Sequence, residues 1–144
     1  VINTTKWTYN SGAMIAAGLR LYTATGDMSY LNQAKATADG AYNYFVKSRN
    51  GLALCYPTND PWFTIQLVKA FIELEPEYPA CRTYIDVFIT NLEYAWEHGR
   101  MDNGLFHEDW TGKNVNPDRD KSLLMQAAAL ESLATVALYK GERK

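Results

Sequence analysis

The chain has 144 residues, of which 47% are hydrophobic and 21% charged, a composition typical of one folded globular domain. Its formal net charge is −2 and it has no run of Lys or Arg, which argues against nucleic acid as a ligand. No apolar segment approaches the ~20 residues that span a bilayer, so we expect no membrane span.

Five segments show the spacing of apolar residues that is typical of amphipathic helices. In chain order the predicted helices are Ser11–Thr25, Asp27 or Ser29 to about Ser48, Asp60 to Leu74, Pro79 to about Gly99, and Asp118 to about Lys140. On the first helix, Met14, Ile15, Gly18, Leu19 and Tyr22 form the stripe that we expect to be buried. In the third, Asp60 is an N-cap acceptor followed by a proline at the first helical position. The pattern predicts an all-α fold.

A weak internal repeat relates alternate helices. The first, third and fifth helices each end in a similar apolar segment, which predicts that they occupy equivalent positions. The second and fourth are then their returning partners, so that the chain consists of helical hairpins. Such pairs bury their faces only by stacking on neighbouring pairs, and two and a half pairs form an arc.

Two long loops are expected at one end of this arc. Arg49–Asn59 and Arg100–Pro117 each join one helical pair to the next, so both should lie at the end that also holds Trp7–Gly12. The alternation over Leu105–Trp110 predicts a short β-hairpin in the second loop. Long loops on one end of a helical scaffold are a common location of functional residues.

The segment Trp7–Gly12 combines an indole, a phenol and an amide at the start of a helix. Aromatic rings can cover the apolar faces of a pyranose, and an Asn side chain can donate to and accept from its hydroxyl groups. The segment therefore predicts a sugar-binding wall. A capped helix with an ordinary aromatic core contact explains the same residues, and the segment alone does not separate the two.

Candidate catalytic groups are few. Glu108 and Asp109 are adjacent, so they should point to opposite sides of an extended loop, whereas glycosidic cleavage needs two carboxyl groups facing one bond. One of them could bind sugar beside Trp110. The two histidines, His98 and His107, lack metal-ligand spacing, and the cysteines are too few for a disulfide framework, so no metal is expected.

Taken in order, these motifs resemble the second half of glycoside hydrolase family 76, which contains endo-acting α-1,6-mannanases and related bacterial surface enzymes. The segments that carry the resemblance are Trp7-Thr-Tyr-Asn-Ser-Gly12 with Thr25-Gly26-Asp27, Asp60-Pro-Trp-Phe63 with Lys69, Ala95-Trp96, and Gly104-Leu-Phe with Asp109-Trp110-Thr-Gly112. The resemblance implies an (α/α)6 toroid, of which residues 1–144 are the C-terminal portion. By position only, it implies that Trp7, Tyr9, Asn10, Asp109 and Trp110 line the substrate.

The resemblance also implies the activity and its limits in this chain. Members of the family hydrolyse α-1,6-linked mannan with retention, using two carboxylates and no cofactor, and act in the secreted, periplasmic or cell-surface compartment. Their paired aspartates form an Asp-Asp dipeptide upstream of the Trp-x-Tyr-Asn motif, and this chain contains no such dipeptide. Ser11, Thr64 and Lys69 also stand where the family usually has Gln, Lys and Arg. We therefore expect a substrate-lining part without catalytic residues.

Two other interpretations remain open from the sequence. A non-catalytic carbohydrate-binding toroid module would keep the aromatic wall and lose the acids. A helical scaffold that binds protein would instead carry apolar residues on the loops. A partial toroid would also leave apolar flanks at both ends, which predicts self-association or pairing with an N-terminal fragment of the same protein.

Overall fold

The computed structural model describes residues 4–116 and 121–141. The helices are α1 (Thr8–Thr25), α2 (Met28–Phe45), α3 (Pro61–Leu74), α4 (Cys81–His98) and α5 (Leu123–Gly141), and two short strands, β1 (Lys47–Arg49) and β2 (Leu52–Cys55), lie between α2 and α3. The all-α class and the order of the five helices are confirmed. The predicted start of the last helix, at Asp118, lies outside the described residues.

The β-hairpin lies in the first long loop, and its predicted location in the second was wrong. Strands β1 and β2 pair antiparallel around Asn50 and Gly51, both of which have positive φ, at 48° and 94°. An Asn-Gly pair with positive φ at both positions favours the tight turn that suits the twist of a hairpin. In the second loop only a single antiparallel bridge, between Arg100 and Phe106, is present.

Helix ends follow local chemistry at most boundaries. Helix α1 begins three residues earlier than predicted, so that Trp7 is its extended N-cap and Tyr9 and Asn10 lie in its first turn. It ends at Gly26, whose φ of 72° allows its N–H to donate to the Tyr22 carbonyl. The Asp27 carboxylate then caps α2 by accepting from the Ser29 N–H at 2.8 Å.

Helices α1, α3 and α5 form a parallel row. Gly12 of α1 lies against the backbone of Gln66 in α3, and two ion pairs join neighbouring helices of the row. The pairs are Arg20 to Glu73, between α1 and α3, and Lys69 to Glu131, between α3 and α5, with N···O distances of 2.9 and 2.8 Å. The Tyr139 hydroxyl near the end of α5 also donates to the Glu75 carboxylate just after α3, at 2.6 Å. Contacts at two depths therefore join each neighbouring pair of helices, so the three run in one direction.

The returning helices α2 and α4 pack behind this row and complete the core. Helix α3 lies at its centre, and its side chains Ile65, Leu67, Val68, Phe71 and Leu74 have no exposed surface. The first, third and fifth helices lie in one row with α3 at its centre, and the second and fourth helices return behind this row. Within the described residues, no helix has the length and apolar character needed to cross a bilayer.

Met14, which belongs to the predicted buried stripe of the first helix, lies outside the core, and so does Trp96 near the end of α4. Met14 on α1 is 64% exposed and Trp96 on α4 is 44% exposed. Met14 lies on the face of α1 that points away from α3, where no described element covers it. Arg100 lies over the Trp96 ring at 3.9 Å from its centroid, and this cation–π contact covers part of the indole.

The contact at Gly12 generates a test of the fold. A Cβ added there would lie 2.7 Å from the Gln66 carbonyl oxygen and 2.9 Å from the Leu67 Cα, both of them backbone atoms. Because α1 would have to move away from α3, Gly12→Ala should lower the free energy of unfolding by about 1–3 kcal/mol, as overpacked cores do. Chemical denaturation measures this difference.

A matched control is available in α2. Gly40 is also helical, but an added Cβ meets no atom within 4 Å. Gly40→Ala should raise the free energy of unfolding by about 0.5–1 kcal/mol, because alanine loses less backbone entropy in a helix. Equal effects of the two substitutions would show that the α1–α3 contact is looser than described.

Candidate functional site

The parallel row places the N-termini of α1, α3 and α5 at one end of the molecule, here called the rim. The loop after β2 leads into α3 and the segment after α4 leads into α5, so both also reach this end. Asp60, just before α3, and Ser122, just before α5, line the same cleft. The prediction that both long loops lie near Trp7–Gly12 is consistent with this arrangement.

The rim cleft is polar and has a volume of about 580 Å³. Its lining residues are Asn59, Asp60, Glu108, Asp109, Asn114, Ser122 and Met125. Asp60 occupies the N-cap position of α3, yet its side chain makes no capping hydrogen bond there. The cleft thus presents carboxylates, amides and a hydroxyl, groups that hydrogen-bond to polyhydroxylated ligands.

Asp109 forms the inner wall of this cleft and organises the surrounding loops. One carboxylate oxygen accepts from the Thr111 backbone N–H at 2.9 Å and from the Thr111 hydroxyl at 2.8 Å. The other accepts from the side-chain amides of Asn50 at 3.2 Å and Asn114 at 2.9 Å. The β-hairpin turn and the segment before α5 are therefore held together by a single carboxylate that is 3% exposed.

The same contacts keep Asp109 ionised. Burial by itself raises the pKa of this carboxyl group, but the hydrogen bonds from Thr111 and Asn114 outweigh burial and lower the pKa below its ordinary value. With protein donors on both oxygens, Asp109 is held in place as a loop clamp. Asp109 contributes only one edge to the lining of the cleft, and its predicted role in lining the substrate rests on that edge.

Trp110 lies beneath the rim. Its indole is 6% exposed and packs near Phe88 and Phe106, with ring centroids 6.3 and 6.1 Å away. Phe106 is also buried, but Asp109 and Trp110 are adjacent and both buried, so the segment does not keep the alternation of a strand and no second hairpin forms. Stacking of a sugar on Trp110 would require this aromatic cluster to open.

Aromatic residues at the start of α1 and α3 form a second feature of the rim, the aromatic shelf. Trp7 meets Phe63 edge-on at 5.4 Å, and Tyr9 lies 4.7 Å from Phe63 and nearly parallel to Trp62 at 6.3 Å. Trp7 is 40% exposed. Trp62 completes the shelf beside Tyr9 and Phe63.

The shelf continues into a groove of about 300 Å³ between α1 and α3. Tyr9 and Trp62 stand at the rim end of this groove, and Lys69 and Glu73 lie deeper, where both are engaged in ion pairs. Asn10, in contrast, lies on the exposed side of α1 that it shares with Met14. The structure thus brings Trp7 and Tyr9 together and separates Asn10 from them.

The remaining reactive groups do not form a site. Among the described residues, no three His, Cys, Asp or Glu side chains cluster closely enough to hold a metal ion. Both cysteines are buried and free, and burial raises the pKa of Cys55 to about 11 and that of Cys81 to about 12. Thiols with such pKa values are protonated and unreactive near neutral pH.

A helical arc with parallel inner helices, returning outer helices and long loops at one rim has the architecture of part of an α/α toroid. Residues 1–143 match the family model of glycosyl hydrolase family 76, and the chain belongs to this family. The resemblance inferred from the sequence is thereby confirmed, and the five helices form part of an (α/α)6 toroid.

Two solved structures are similar to this chain. One is a family 76 glycoside hydrolase from a bovine Bacteroides thetaiotaomicron strain, with 24% identity, a TM-score of 0.82 and coverage of 95% of this chain and 30% of that chain. The other is a family 76 mannosidase from Bacteroides thetaiotaomicron VPI-5482, with 25% identity, a TM-score of 0.85 and coverage of 100% and 40%. The chain thus spans less than half the length of either protein. No curated protein sequence is significantly similar to it.

The clamp at Asp109 predicts a pH-dependent stability. Asp109→Asn should lower the free energy of unfolding by about 1–3 kcal/mol at neutral pH, because charge-assisted hydrogen bonds are lost from a buried site. Since the pKa is lowered in the folded state, this contribution is present above the unfolded-state pKa of about 3.9 and is lost as pH falls through the folded-state pKa.

Urea denaturation at about pH 7 and pH 3.5 measures the difference between the wild-type chain and Asp109→Asn. That difference should shrink at the lower pH. Asp102→Asn, in an exposed position of the same segment, is the control and should change little at either pH. A difference that is independent of pH would contradict the role of the ionised carboxylate.

Proposed function

We propose that this chain is the substrate-lining, C-terminal portion of a mannan-active glycoside hydrolase. Its substrate is α-1,6-linked mannan, and the complete domain cleaves it with retention through two carboxylates. The observation that supports this function best is the pairing of the aromatic shelf with the acidic cleft on one rim. Membership of family 76 narrows the reaction to glycoside hydrolysis.

The two features of the rim suit the two kinds of surface on a sugar. The exposed face of Trp7 and the ring of Tyr9 offer planar apolar surface to the C–H face of a pyranose. The carboxylates of Asp60 and Glu108 accept hydrogen bonds from its hydroxyl groups. Glu108 therefore faces the cleft, whereas the buried Asp109 and Trp110 support the cleft from inside.

The catalytic pair belongs to a part of the domain other than these residues. A retaining mechanism needs a nucleophile and an acid/base with carboxyl groups about 5–5.5 Å apart. Asp109 is occupied by protein donors on both oxygens, so it is not available as a nucleophile. We therefore place the pair in the N-terminal portion of a single (α/α)6 domain whose C-terminal portion is residues 1–144.

The substrate also indicates the compartment. Mannan is a polysaccharide too large to enter a cell intact, so an enzyme that cuts its backbone acts where the polymer is accessible. We propose a secreted, periplasmic or bacterial cell-surface location.

A second candidate function is a non-catalytic carbohydrate-binding toroid module. The observation in its favour is that the described rim carries both the shelf and the cleft. Both functions use the same binding rim, and only the first also requires a pair of catalytic carboxylates next to it.

Binding to the shelf can be tested with two matched tryptophan variants. Trp7→Ala should weaken binding of α-1,6-mannotriose by roughly ten-fold, because loss of one stacking face costs about 1 kcal/mol or slightly more. Trp96→Ala, which removes an equally exposed indole from α4, should leave binding unchanged. Isothermal titration calorimetry measures both, with isomaltotriose as the control for the same linkage with glucose. Equal losses in the two variants would contradict a specific shelf.

Catalysis is tested separately with the unmodified chain. Incubation with α-1,6-mannan should release no reducing ends above a heat-denatured sample, because these residues lack the paired aspartates. If turnover appears and Glu108→Gln abolishes it, the chemistry resides in the rim cleft and our placement of the catalytic pair is wrong.

A further inference from the structure

The groove between α1 and α3 begins at the aromatic shelf and has no role in the function proposed above. Its walls carry small side chains, Ala13 and Ala16 of α1 and Ala70 of α3, which leave a volume of about 300 Å³. Small-molecule pockets in proteins have volumes of about 300–1,000 Å³. The groove is therefore large enough to hold a small ligand.

The mouth of the groove consists of aromatic rings that are already held in place. The rings of Tyr9 and Trp62 are parallel to within 6°, with centroids 6.3 Å apart. Each also packs on Phe63, at centroid distances of 4.7 and 4.6 Å. Such rings suit the apolar face of a sugar, because they need no rearrangement and lose little conformational entropy on binding.

Hydrogen-bonding groups with spare capacity line the groove below these rings. The side-chain amide of Gln66 makes no hydrogen bond to any part of the chain that the structure describes. Lys69 donates to Glu131 at 2.8 Å, which uses one of the three N–H donors of its ammonium group. Glu73 accepts from Arg20 through one carboxylate oxygen, at 2.9 Å. The remaining donors and acceptors match the hydroxyl groups of a sugar.

The composition of the groove distinguishes it from a surface that packs against further helices. Gly18, on another face of α1, contacts Tyr30 and Ala34 of α2, so the groove faces away from the returning helices. The four ion-paired side chains beside it are 39–70% exposed, and charged groups are disfavoured at packed helix contacts because their desolvation is costly. The groove is thus a hydrated surface that faces the interior of the ring.

The direction of the groove differs from that of the rim. The shelf lies at the starts of α1 and α3 and the cleft at the starts of α3 and α5, so a polysaccharide that contacts both lies across the helix ends. The groove instead follows the helix axes, since Trp62 and Glu73 both line it and are separated by about 16 Å at the 1.5 Å rise of a helix. A sugar residue in the groove therefore points away from the line of the polysaccharide backbone.

We propose that the groove between α1 and α3 binds a single sugar residue that branches from the mannan backbone lying on the rim. This inference rests on the proposed function and narrows its substrate to a branched α-1,6-mannan. Trp62 and Tyr9 contact the branch residue where it enters the groove, and Gln66 hydrogen-bonds to its hydroxyl groups. The small side chains of Ala13 and Ala16 provide the space.

A branch residue suits these groups better than a residue of the backbone. A residue within a 1,6-linked backbone has lost its 6-hydroxyl group to the next linkage. A residue at the end of a branch is linked through its anomeric carbon alone, so all its other hydroxyl groups are free. The amide, ammonium and carboxylate groups along the groove can therefore pair with more hydroxyl groups of a branch than of an internal residue.

Calorimetric titration with two ligands tests the proposal. The ligands are α-1,6-mannotetraose and the same tetraose with one α-mannosyl branch on the 2-hydroxyl group of an internal residue. The branched ligand should bind the wild-type chain about ten-fold more tightly, because the branch adds a stacking contact and hydrogen bonds. The ratio of the two affinities reports on the groove, and the affinity for the linear ligand reports on the rim.

Two variants change the groove, and a third is a matched control. Ala16→Leu fills the groove and should reduce the affinity ratio to about one, because the branch no longer fits. Gln66→Ala removes an amide that has no partner among the described residues, and it should lower the ratio by about three-fold or more. Ala36→Leu makes the first substitution at an exposed position of α2 and should leave the ratio at about ten. Circular dichroism confirms that each variant remains folded.

The outcomes separate this proposal from the proposed function. The branch site is wrong if the branched ligand binds no more tightly than the linear one, or if Ala16→Leu leaves both affinities unchanged. An equal loss for both ligands in that variant also overturns it, because a chain end would then occupy the groove. In each case, linear binding that depends on Trp7 leaves the proposed function standing. If neither ligand binds the wild-type chain, the proposed function fails together with the branch site.

Discussion

The close parallel contact of α1 with α3 is the constraint on which the rest of this structure depends. Gly12 lets the α1 backbone approach Gln66, and the ion pair from Arg20 to Glu73 fixes the direction and depth of the two helices. Because the helices start at the same level, the aromatic residues before and within their first turns meet at one rim. A shift of either helix by one turn would move Trp7 and Tyr9 away from Phe63 and dismantle the shelf.

The rim cleft depends on a polar interaction. Asp109 holds the turn of the β-hairpin and the segment before α5 through Asn50, Thr111 and Asn114, and Trp110 fills the space below. An apolar core alone does not position two loops that lack regular structure, because their backbone groups need hydrogen-bond partners. The buried carboxylate of Asp109 and the packed indole of Trp110 therefore hold the loops that form the rim cleft.

The residues predicted to bind substrate differ in their location and burial in the structure. Trp7 and Tyr9 lie on the shelf as their position in the motif suggests, and the roles of all five in substrate binding remain proposals. Asp109 and Trp110 are adjacent to the cleft but mostly buried, and Asn10 lies on the exposed side of α1. Sequence motifs identify residues that a site needs. A motif does not distinguish a residue that binds a sugar from a residue that supports the binding loop. Burial and hydrogen-bond partners separate them.

The sequence by itself determined the number and order of the helices, because apolar periodicity and turn residues act over short stretches of chain. The resemblance of its ordered motifs, and not periodicity, indicated the family. The sequence also contains the Asn50-Gly51 pair that favours the turn of the hairpin. Only the tertiary structure decided which apolar faces have a partner. Met14 and Leu130 carry the same periodicity as core residues, yet they are exposed, since burial depends on a neighbouring helix at that position. Local sequence specifies an amphipathic face, and the fold specifies what covers it.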